Sequence, residues 1–395
     1  MSERREVWIT GVGLLTCLGE GLEAAWSRLD HGDPPSYDDK SFAPYIVHQL
    51  PPMSFDKHIP KKSDQRQMET WQRVGVYTAG MALTDAGIAG NAELLDRADM
   101  IVAAGGGERD TAVDTAIMAG MRKTNTRGAF LNERLMSDLR PTLFLAQLPN
   151  LLAGNISLVH GVVGSSRTFM GEEAAGVDSV RVAQARVASG QSELTLVGGA
   201  YNGARWDVLL AFELGHVLLR DKFAPVWDRG PNGGIAFATM GAFLVLESPE
   251  HAQARGAKPR ARLSEIHSDR NLRQAGETEA ALRRQWDTIA GKVDRAHAAV
   301  ISGASGIEPA TSAERGALKE FGLPVRNTGT YIGHGVETQF LANLGIACAA
   351  LEHGKLFAPA GGGDTGDSPS GLSQVIVTSV GNWRGEGLAL VERIG

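Results

Sequence analysis

The residue types that could carry catalysis are few and widely spaced in this chain. Its two cysteines, Cys17 and Cys348, each lie in an apolar segment, so we expect both to be buried packing residues rather than nucleophiles. The ten histidines form no HExxH motif, and there are no paired cysteines to complete a zinc site. The glycines at 105–107 lack the spacing of a dinucleotide fingerprint, and no phosphate-binding Walker loop is present. The sequence therefore predicts neither a metal site nor a cofactor.

Composition excludes further classes of function. The 395 residues carry 39 Lys and Arg against 45 Asp and Glu, a net charge of −6 without a basic run, so a nucleic-acid partner is not expected. Two cysteines cannot form a disulfide framework, which suits a reducing cytoplasm. The charged residues 3–6 argue against a signal peptide, and no apolar run approaches the ~18 residues of a membrane span. We expect a cytoplasmic globular protein without a membrane span.

Elements that could position a site follow from apolar runs bounded by glycine. Such runs predict buried strands of an α/β sheet covered on both faces, at 7–13, 100–104 and 194–199. The first run is predicted to end in a turn at Gly11 and Gly13. Helical spacing predicts long helices at 67–86 and 171–189, ended by Gly87 and Gly190.

Two further segments bear on the domain organisation. Residues 297–303 resemble residues 99–105 as a strand that runs into glycines, which is compatible with an internal duplication. Residues 108–152 are rich in Met and Phe without a clear strand, and they predict short helices and a loop.

Four segments together resemble the β-ketoacyl-acyl-carrier-protein synthases of the thiolase fold. They are ITGVGLLTCLG at 9–19, LTDAGI at 83–88, LVGGA at 196–200 and LVLESPEHAQARGA at 244–257. The resemblance implies an α/β fold, an αβαβα five-layer sandwich built from two duplicated halves, at 1–256 and 257–395, with a tunnel or interface segment inserted at about 108–152. It also implies a dimer formed through strand 194–197 and the segment before Met170.

The catalytic groups of that family are largely missing at the matching positions. The family uses a cysteine at a helix N-terminus, two histidines that stabilise an enolate, a lysine and a glutamate. By this resemblance Met170 takes the place of the nucleophile, and His334 is the retained second histidine. Ala304 and Gly329 occupy the positions of the lost histidine and lysine, while Glu314 matches the glutamate.

The resemblance also indicates residues of an acyl tunnel and its gate. In the family the inserted segment shapes the tunnel, and the apolar residues there could equally be core: Met118, Met121, Phe130, Met136 and Phe144. The gate position, usually a phenylalanine, holds Asn382.

Other polar groups near the nucleophile position could have structural rather than catalytic roles. His334 could be either a core histidine or a pocket residue. Glu172 and Glu173 lie in the first turn of a predicted helix, where carboxylates favour the dipole, so capping is the expected role. Substitute nucleophiles would have to come from residues without a nearby base: Ser165, Ser166 and Thr168.

The pattern resembles chain-length factors, which lack the cysteine and pair with an active ketosynthase. It predicts a non-catalytic subunit of fatty acid or polyketide elongation, with a ketosynthase paralogue, an acyl carrier protein and an acyl chain as partners. The sequence is also similar to ketosynthase-like proteins that serve very-long-chain fatty acid synthesis for lipid A. Two alternatives remain open: a divergent synthase or malonyl-acyl-carrier-protein decarboxylase with its own activity, and a homodimeric protein that binds acyl chains or their carrier.

Overall fold

A computed structural model describes residues 5–140 and 142–395 of the chain. The strands are β1 Trp8–Thr16, β2 Gly19–Glu20, β3 Val47–His48, β4 Asp99–Ala103, β5 Ser166–Phe169, β6 Leu194–Asn202, β7 Phe237–Glu247, β8 Ala261–Asp269, β9 Ala298–Ser302, β10 Val325–Asn327, β11 Gln374–Val380 and β12 Glu386–Glu392. The helices are α1 Leu22–His31, α2 Lys62–Gln67, α3 Thr70–Asp85, α4 Ala92–Arg97, α5 Thr111–Met121, α6 Arg127–Asp138, α7 Leu143–Ala146, α8 Leu151–His160, α9 Glu172–Ala188, α10 Trp206–Glu213, α11 Pro249–Ala254, α12 Glu277–Ile289, α13 Ala310–Phe321, α14 Gly329–Ile332 and α15 Gln339–His353. Within these described residues, no helix combines the length and the apolar character needed to cross a bilayer.

The main strands form one sheet whose two halves have the same topology. Its order is β10-β9-β11-β12-β8-β1-β7-β6-β4-β5. The first half consists of five strands, which we number one to five in chain order: β1, β4, β5, β6 and β7. From the outer edge of the sheet to its centre their order is 3-2-4-5-1. Strands β8 to β12, numbered in the same way, have the same order. The halves meet where β1 pairs with β8, antiparallel, through Trp8 with Arg262 and Ile9 with Ala261. This repeat confirms the predicted fold of two duplicated halves; the proposed boundary after residue 256 lies between α11 and β8 and stays a prediction.

Helices fill three further layers around the two half-sheets. Helices α9 and α15 lie between the halves, since each packs on strands of both. Helix α3 covers the outer face of the first half, and α12 with α13 covers the outer face of the second. In α15 the residues from Gln339 to Leu351 are all buried, as a helix enclosed between two sheets requires.

The glycines of β1 correct one sequence prediction. The strand does not turn at Gly11 and Gly13 but continues to Thr16. A Cβ atom on Gly13 would lie 2.1 Å from the carbonyl oxygen of Thr78, and one on Gly11 would lie 2.5 Å from that of Ala82. These glycines therefore serve close approach of the α3 backbone to the strand rather than a turn.

The helix predicted at 67–86 is α3, Thr70–Asp85, which begins three residues later than predicted and is preceded by the short helix α2. Helix α2 ends at Gln67, Met68 is extended, and α3 begins at Thr70 behind a capping box formed by Glu69 and Gln72. The predicted ends are confirmed, because Gly87 and Gly190 adopt positive φ angles of 69° and 74° after α3 and α9.

The strand positions also correct the predicted dimer segment at 194–197. Strand β6 lies between β4 and β7, and both of its edges are paired. Strand β5 is the last strand of the sheet and pairs only with β4. Its other edge, next to Met170, is therefore free. Of the two predicted interface segments, only the one before Met170 has an edge to offer a partner.

Adding one methyl group to β1 tests the close approach of α3. We expect Gly13→Ala to lower the free energy of unfolding by about 1–3 kcal/mol, because the strand and the helix would have to separate. In the matched control Gly128→Ala, a Cβ meets nothing within 4 Å on helix α6, and the change should be neutral or stabilising by up to about 1 kcal/mol. Urea unfolding of both variants checks this, and equal stability of Gly13→Ala and the unmodified chain would contradict it.

Candidate functional site

Met170 connects the edge strand β5 to the N-terminus of the central helix α9. Its side chain is 64% exposed and lines a cavity of about 420 Å³. Gly171 and Glu172 both have positive φ angles, 119° and 57°, so the chain turns sharply here into the helix. This is the geometry in which a helix N-terminus presents a side chain to a ligand, but the thioether of Met170 has no ionisable proton and cannot form a thioester.

The cavity beside Met170 has both apolar and acidic walls. The apolar part of the wall includes the side chains of Trp71, Val208, Phe212 and Val336. The glycines of the loop after β4, Gly105 and Gly106, form another part of the wall. Glu172, Arg205 and Glu337 contribute the charged groups. A largely apolar cavity of this size can hold a segment of an acyl chain.

Glu337 is a buried carboxyl group that the sequence analysis did not identify. Its Oε1 atom accepts a hydrogen bond from the backbone N–H of Gly105 at 2.6 Å. Burial raises the pKa of Glu337 to about 8, and the nearby charge of Glu173 adds to this effect. A charged residue type inside the apolar stretch 331–351, three positions after His334, was the available signal.

Two more carboxyl groups next to the cavity have perturbed acidity. Burial, followed by the charge of Glu173, raises the pKa of Glu172. Burial also raises the pKa of Glu108, although this carboxylate accepts hydrogen bonds from Trp71 N–H at 2.8 Å and Asn202 Nδ2 at 3.0 Å. The environment around Met170 therefore disfavours negative charge on its acidic side chains.

His334, which the resemblance predicts to be the retained histidine, is buried and bonded to an acid of α9. Its Nε2 lies 3.0 Å from Glu173 Oε1, both side chains are almost fully buried, and Nδ1 has no hydrogen-bond partner among the described residues. Glu173 thus does not cap α9 as predicted: this helix has no side-chain cap, and the carboxylate is directed to the histidine instead. His334 is absent from the cavity wall, which favours the core reading over the pocket reading.

Ala304 and Gly329, which the resemblance aligns with a histidine and a lysine of the family, lie together in a closed polar core. Ala304 is buried, and its carbonyl oxygen accepts a hydrogen bond from Asn327 Nδ2 at 3.0 Å. A Cβ on Gly329 would lie 3.2 Å from the Ala304 carbonyl oxygen and 3.3 Å from Val226, so a longer side chain has little room. Glu314 accepts hydrogen bonds from Ser302 at 2.7 Å and Thr378 at 2.6 Å, and burial raises its pKa. The polar groups here are hydrogen-bonded within the core, and they offer no hydrogen-bond donor to the cavity.

Neither cysteine replaces the missing nucleophile. Cys17 is buried, its Sγ donates to the Tyr331 carbonyl oxygen at 3.3 Å, and burial raises its pKa to about 12. Cys348 is fully buried in α15, which also raises the pKa of its thiol. Both thiols are therefore protonated and inaccessible at neutral pH, in agreement with the predicted packing role.

The hydroxyl groups near Met170 lack an activating partner. Ser166 and Thr168 are part of β5, and Ser165 immediately precedes it. Among the residues that the structure describes, no carboxylate or imidazole accepts a hydrogen bond from any of these three hydroxyls. A base within hydrogen-bond reach is what a serine or threonine nucleophile needs.

The predicted tunnel residues lie on the helices between β4 and α8, outside the cavity wall of the single chain. Met118, Met136 and Phe144 are exposed at 58%, 80% and 69%, on α5, α6 and α7. Met121 and Phe130 are half-buried, and Phe130 packs against Gly120 between α5 and α6. The short helices themselves were predicted, while the tunnel role stays a prediction.

Asn382 lies in a tight loop between β11 and β12, and its neighbour Gly381 lies close to Glu173. The loop closes through the N–H of Gly381, which donates to the Gly385 carbonyl oxygen at 2.9 Å. Arg273 Nη2 donates to the same two residues' carbonyl oxygens, at 2.5 and 3.2 Å, and holds the loop in place. Asn382 is half-buried and does not line the cavity, so its gate role stays a prediction.

Curated relatives align with about two thirds of the chain. The 3-oxoacyl-[acyl-carrier-protein] synthase 2 of Vibrio cholerae serotype O1 is 25% identical over 268 residues, 65% of this chain and 61% of the relative. Nodulation protein E of Rhizobium leguminosarum bv. trifolii is 26% identical over 264 residues, 64% of this chain and 60% of the relative. The matched part of the chain thus spans about three fifths of the length of these relatives, 61% and 60%.

Solved structures match the whole fold. A β-ketoacyl synthase from Burkholderia phymatum superimposes with a TM-score of 0.79 at 19% identity, and the ishigamide ketosynthase/chain length factor with 0.80 at 19%, each over 99% of this chain and 100% of the other. A type II polyketide ketosynthase in complex with its acyl-carrier protein gives 0.77 at 17%, with the same coverage. At these identities the likeness establishes the fold, which is that of the thiolase-like ketosynthases.

A family model assigns the N-terminal part of the chain directly. The description of that family is β-ketoacyl synthase, N-terminal domain, and its match extends over residues 4–252, from the first strand to α11. The chain belongs to the β-ketoacyl synthase family.

Proposed function

We propose that this chain is a ketosynthase-like subunit of fatty acid or polyketide elongation that has no condensing activity of its own. It pairs with a cysteine-bearing β-ketoacyl-acyl-carrier-protein synthase and helps to enclose the growing acyl chain. The observation that carries the proposal is Met170, a thioether at the N-terminus of α9 whose exposed side chain faces the cavity.

The hydrogen-bond donors that the family uses to stabilise the enolate are also missing. Decarboxylation of a malonyl thioester places negative charge on the thioester oxygen, and donors aimed at that oxygen lower the barrier. Here Ala304 has no side-chain donor, and the Nε2 of His334 is already bonded to Glu173. The loss of acyl transfer and the loss of enolate stabilisation are independent, and together they favour a subunit without chemistry over a divergent synthase or decarboxylase.

A partner is supported by the surface around the edge strand. Strand β5 has one unpaired edge, and large apolar side chains nearby are exposed in the single chain, among them Leu158, Val163 and Met170. Exposed apolar area next to a free strand edge is typical of an interface. The ishigamide ketosynthase/chain length factor and the acyl-carrier-protein complex are assemblies of similar chains, which supports a ketosynthase paralogue and a carrier protein as partners here.

The pathway and the compartment are proposed from the sequence resemblance and from the cysteines. Very-long-chain fatty acid synthesis for lipid A remains the pathway prediction from the sequence resemblance. The cytoplasm remains the proposed compartment, because both cysteines are free thiols.

The chain should not be acylated or alkylated at this site. We expect no mass increase after incubation with an acyl-carrier-protein thioester or with cerulenin, since Met170 cannot react and both thiols are buried. Intact-mass spectrometry measures this, with Met170→Cys as the positive control that should gain an adduct. An adduct on the unmodified chain that maps to Ser165, Ser166 or Thr168 would favour the divergent synthase instead.

Restoring the nucleophile alone should not restore condensation. In Met170→Cys we expect acylation without carbon–carbon bond formation, because one missing oxyanion donor costs about 10²–10³ in rate. A condensation assay compares this variant with the triple mutant Met170→Cys, Ala304→His, Gly329→Lys, with thermal unfolding to check that each is folded. Turnover of the single variant at the rate of an ordinary ketosynthase would contradict the proposal.

The working unit should be a dimer that includes β5. Obligate interfaces bury roughly 2,000–5,000 Å² in total, enough to hold the assembly at micromolar concentration. Light scattering and co-purification with a candidate ketosynthase should give a one-to-one complex. A chain that stays monomeric both alone and with the ketosynthase would refute the pairing, and a stable homodimer that excludes the ketosynthase would favour the acyl-binding alternative.

A further inference from the structure

The cavity contains a polar group that simple enclosure of a hydrocarbon chain does not require. The Glu337 side chain is only 2% exposed, and it forms part of the wall that includes Met170 and Val336. A saturated chain packed against a carboxyl group would leave that group without a partner, which disfavours binding. The wall therefore fits a ligand with a polar atom along its length.

Glu337 has an incomplete set of hydrogen bonds. Its Oε1 accepts from the Gly105 N–H at 2.6 Å, and the backbone N–H of Glu337 itself also bonds to the carboxyl group, whereas no side chain of residues 5–140 and 142–395 forms a hydrogen bond with it. Arg205, whose charge acts on Glu337, is committed elsewhere: its Nη2 donates to the Gly107 carbonyl oxygen and to Asp207, both at 2.7 Å. The carboxyl group thus has no side-chain partner and can bond to a ligand in the cavity.

The surroundings of Glu337 favour its neutral form. Glu172 and Tyr201 line the same cavity, and the charges of Glu173 and Arg205 act on Glu337. Burial is the largest effect; the hydrogen bonds from the backbone N–H groups of Glu337 and Gly105 oppose it, Glu173 reinforces it, and Arg205 opposes it; the resulting pKa is about 8. At neutral pH most of the Glu337 side chain is a carboxylic acid, which can donate one hydrogen bond.

We propose that Glu337 determines the ligand specificity of this cavity by donating a hydrogen bond from its carboxyl group to a keto or hydroxyl oxygen on the bound acyl chain. The cavity then selects an oxygenated chain over a saturated one. This inference rests on the proposed acyl-binding function. Its chemical basis is a buried carboxyl group in the cavity wall that has no side-chain partner, while its Oε1 anchors the loop at Gly105.

The test compares chains that differ only in one oxygen. The probes are pantetheine amides of octanoate and of octanoates with a ketone at the third, fifth or seventh carbon, titrated calorimetrically into the full chain at pH 6 and pH 9.5. At pH 6 at least one ketone should bind roughly three- to tenfold more tightly than octanoate, the range of one neutral hydrogen bond. At pH 9.5, above the Glu337 pKa of about 8, the preference should disappear.

Two variants separate donation from packing. Glu337→Gln keeps an acceptor for Gly105 and a donor for the ligand, so its preference for the ketone should persist at both pH values. Glu337→Leu should bind the ketone and octanoate equally. A preference that survives in Glu337→Leu, or octanoate binding as tightly as every ketone at pH 6, would overturn the inference and leave acyl binding intact. Failure of every chain to bind would overturn the proposed function as well.

A measurement without ligand checks the protonation state. A carboxyl group whose pKa is raised on folding contributes stability that is complete below its unfolded pKa and is lost as the pH rises through its folded pKa of about 8. The melting temperature of the unmodified chain should therefore fall between pH 5 and pH 9 by more than that of Glu337→Gln. An equal fall in both proteins would show that Glu337 is ionised in the folded chain, which also overturns the inference.

Discussion

The two half-sheets share one layer of helices, and this sharing constrains both the core and the cavity. Helix α9 must pack against strands of both halves, so its contact positions need small residues. At Gly176 a Cβ would lie 2.2 Å from the Glu337 carbonyl oxygen. The backbone that carries Glu337 is thus pressed directly against α9, which fixes one side of the cavity wall to the shared helix layer.

The start of α9 holds two carboxyl groups in an environment with opposing effects on their charge. A helix N-terminus favours negative charge, whereas burial disfavours it. The groups nearest the start of α9 are Glu172 and Glu173. Glu173 is paired with His334, and burial, followed by the charge of Glu173, raises the pKa of Glu172. At Glu172 burial is therefore the stronger effect.

Local sequence signals predicted the elements that are buried on both faces. Strands β4 and β6 are continuous apolar runs, and glycines end α3 and α9. The length and position of these four elements could therefore be inferred without knowing which elements pack against them. The edge strand β5, Ser166–Phe169, has no such run, because one side of it is exposed. Its existence depends on pairing with β4, which local pattern does not reveal.

The contacts that define the site were beyond local pattern for the same reason. A glycine inside an apolar run can mark a turn or a close approach, and only α3, some sixty residues further along, decides between them for Gly13. Glu337 and Gly105 are separated by 232 positions, and Glu173 and His334 by 161. The resemblance supplied the aligned positions of Met170, Ala304 and Gly329, but which side chains meet around them follows from tertiary packing.

The position of β1 in the sheet also sets the order in which this chain can fold. Its first residues pair with the end of β7, Trp8 with Glu247, and with the start of β8, Ile9 with Ala261. During synthesis the first strand, whose last two residues can pair at once with β2, must therefore wait for its partners in the main sheet until more than half of the chain has left the ribosome. Contacts of such long sequence separation slow folding and prolong the exposure of apolar strands. Production of this protein should depend on chaperone capacity more strongly than its ordinary composition indicates.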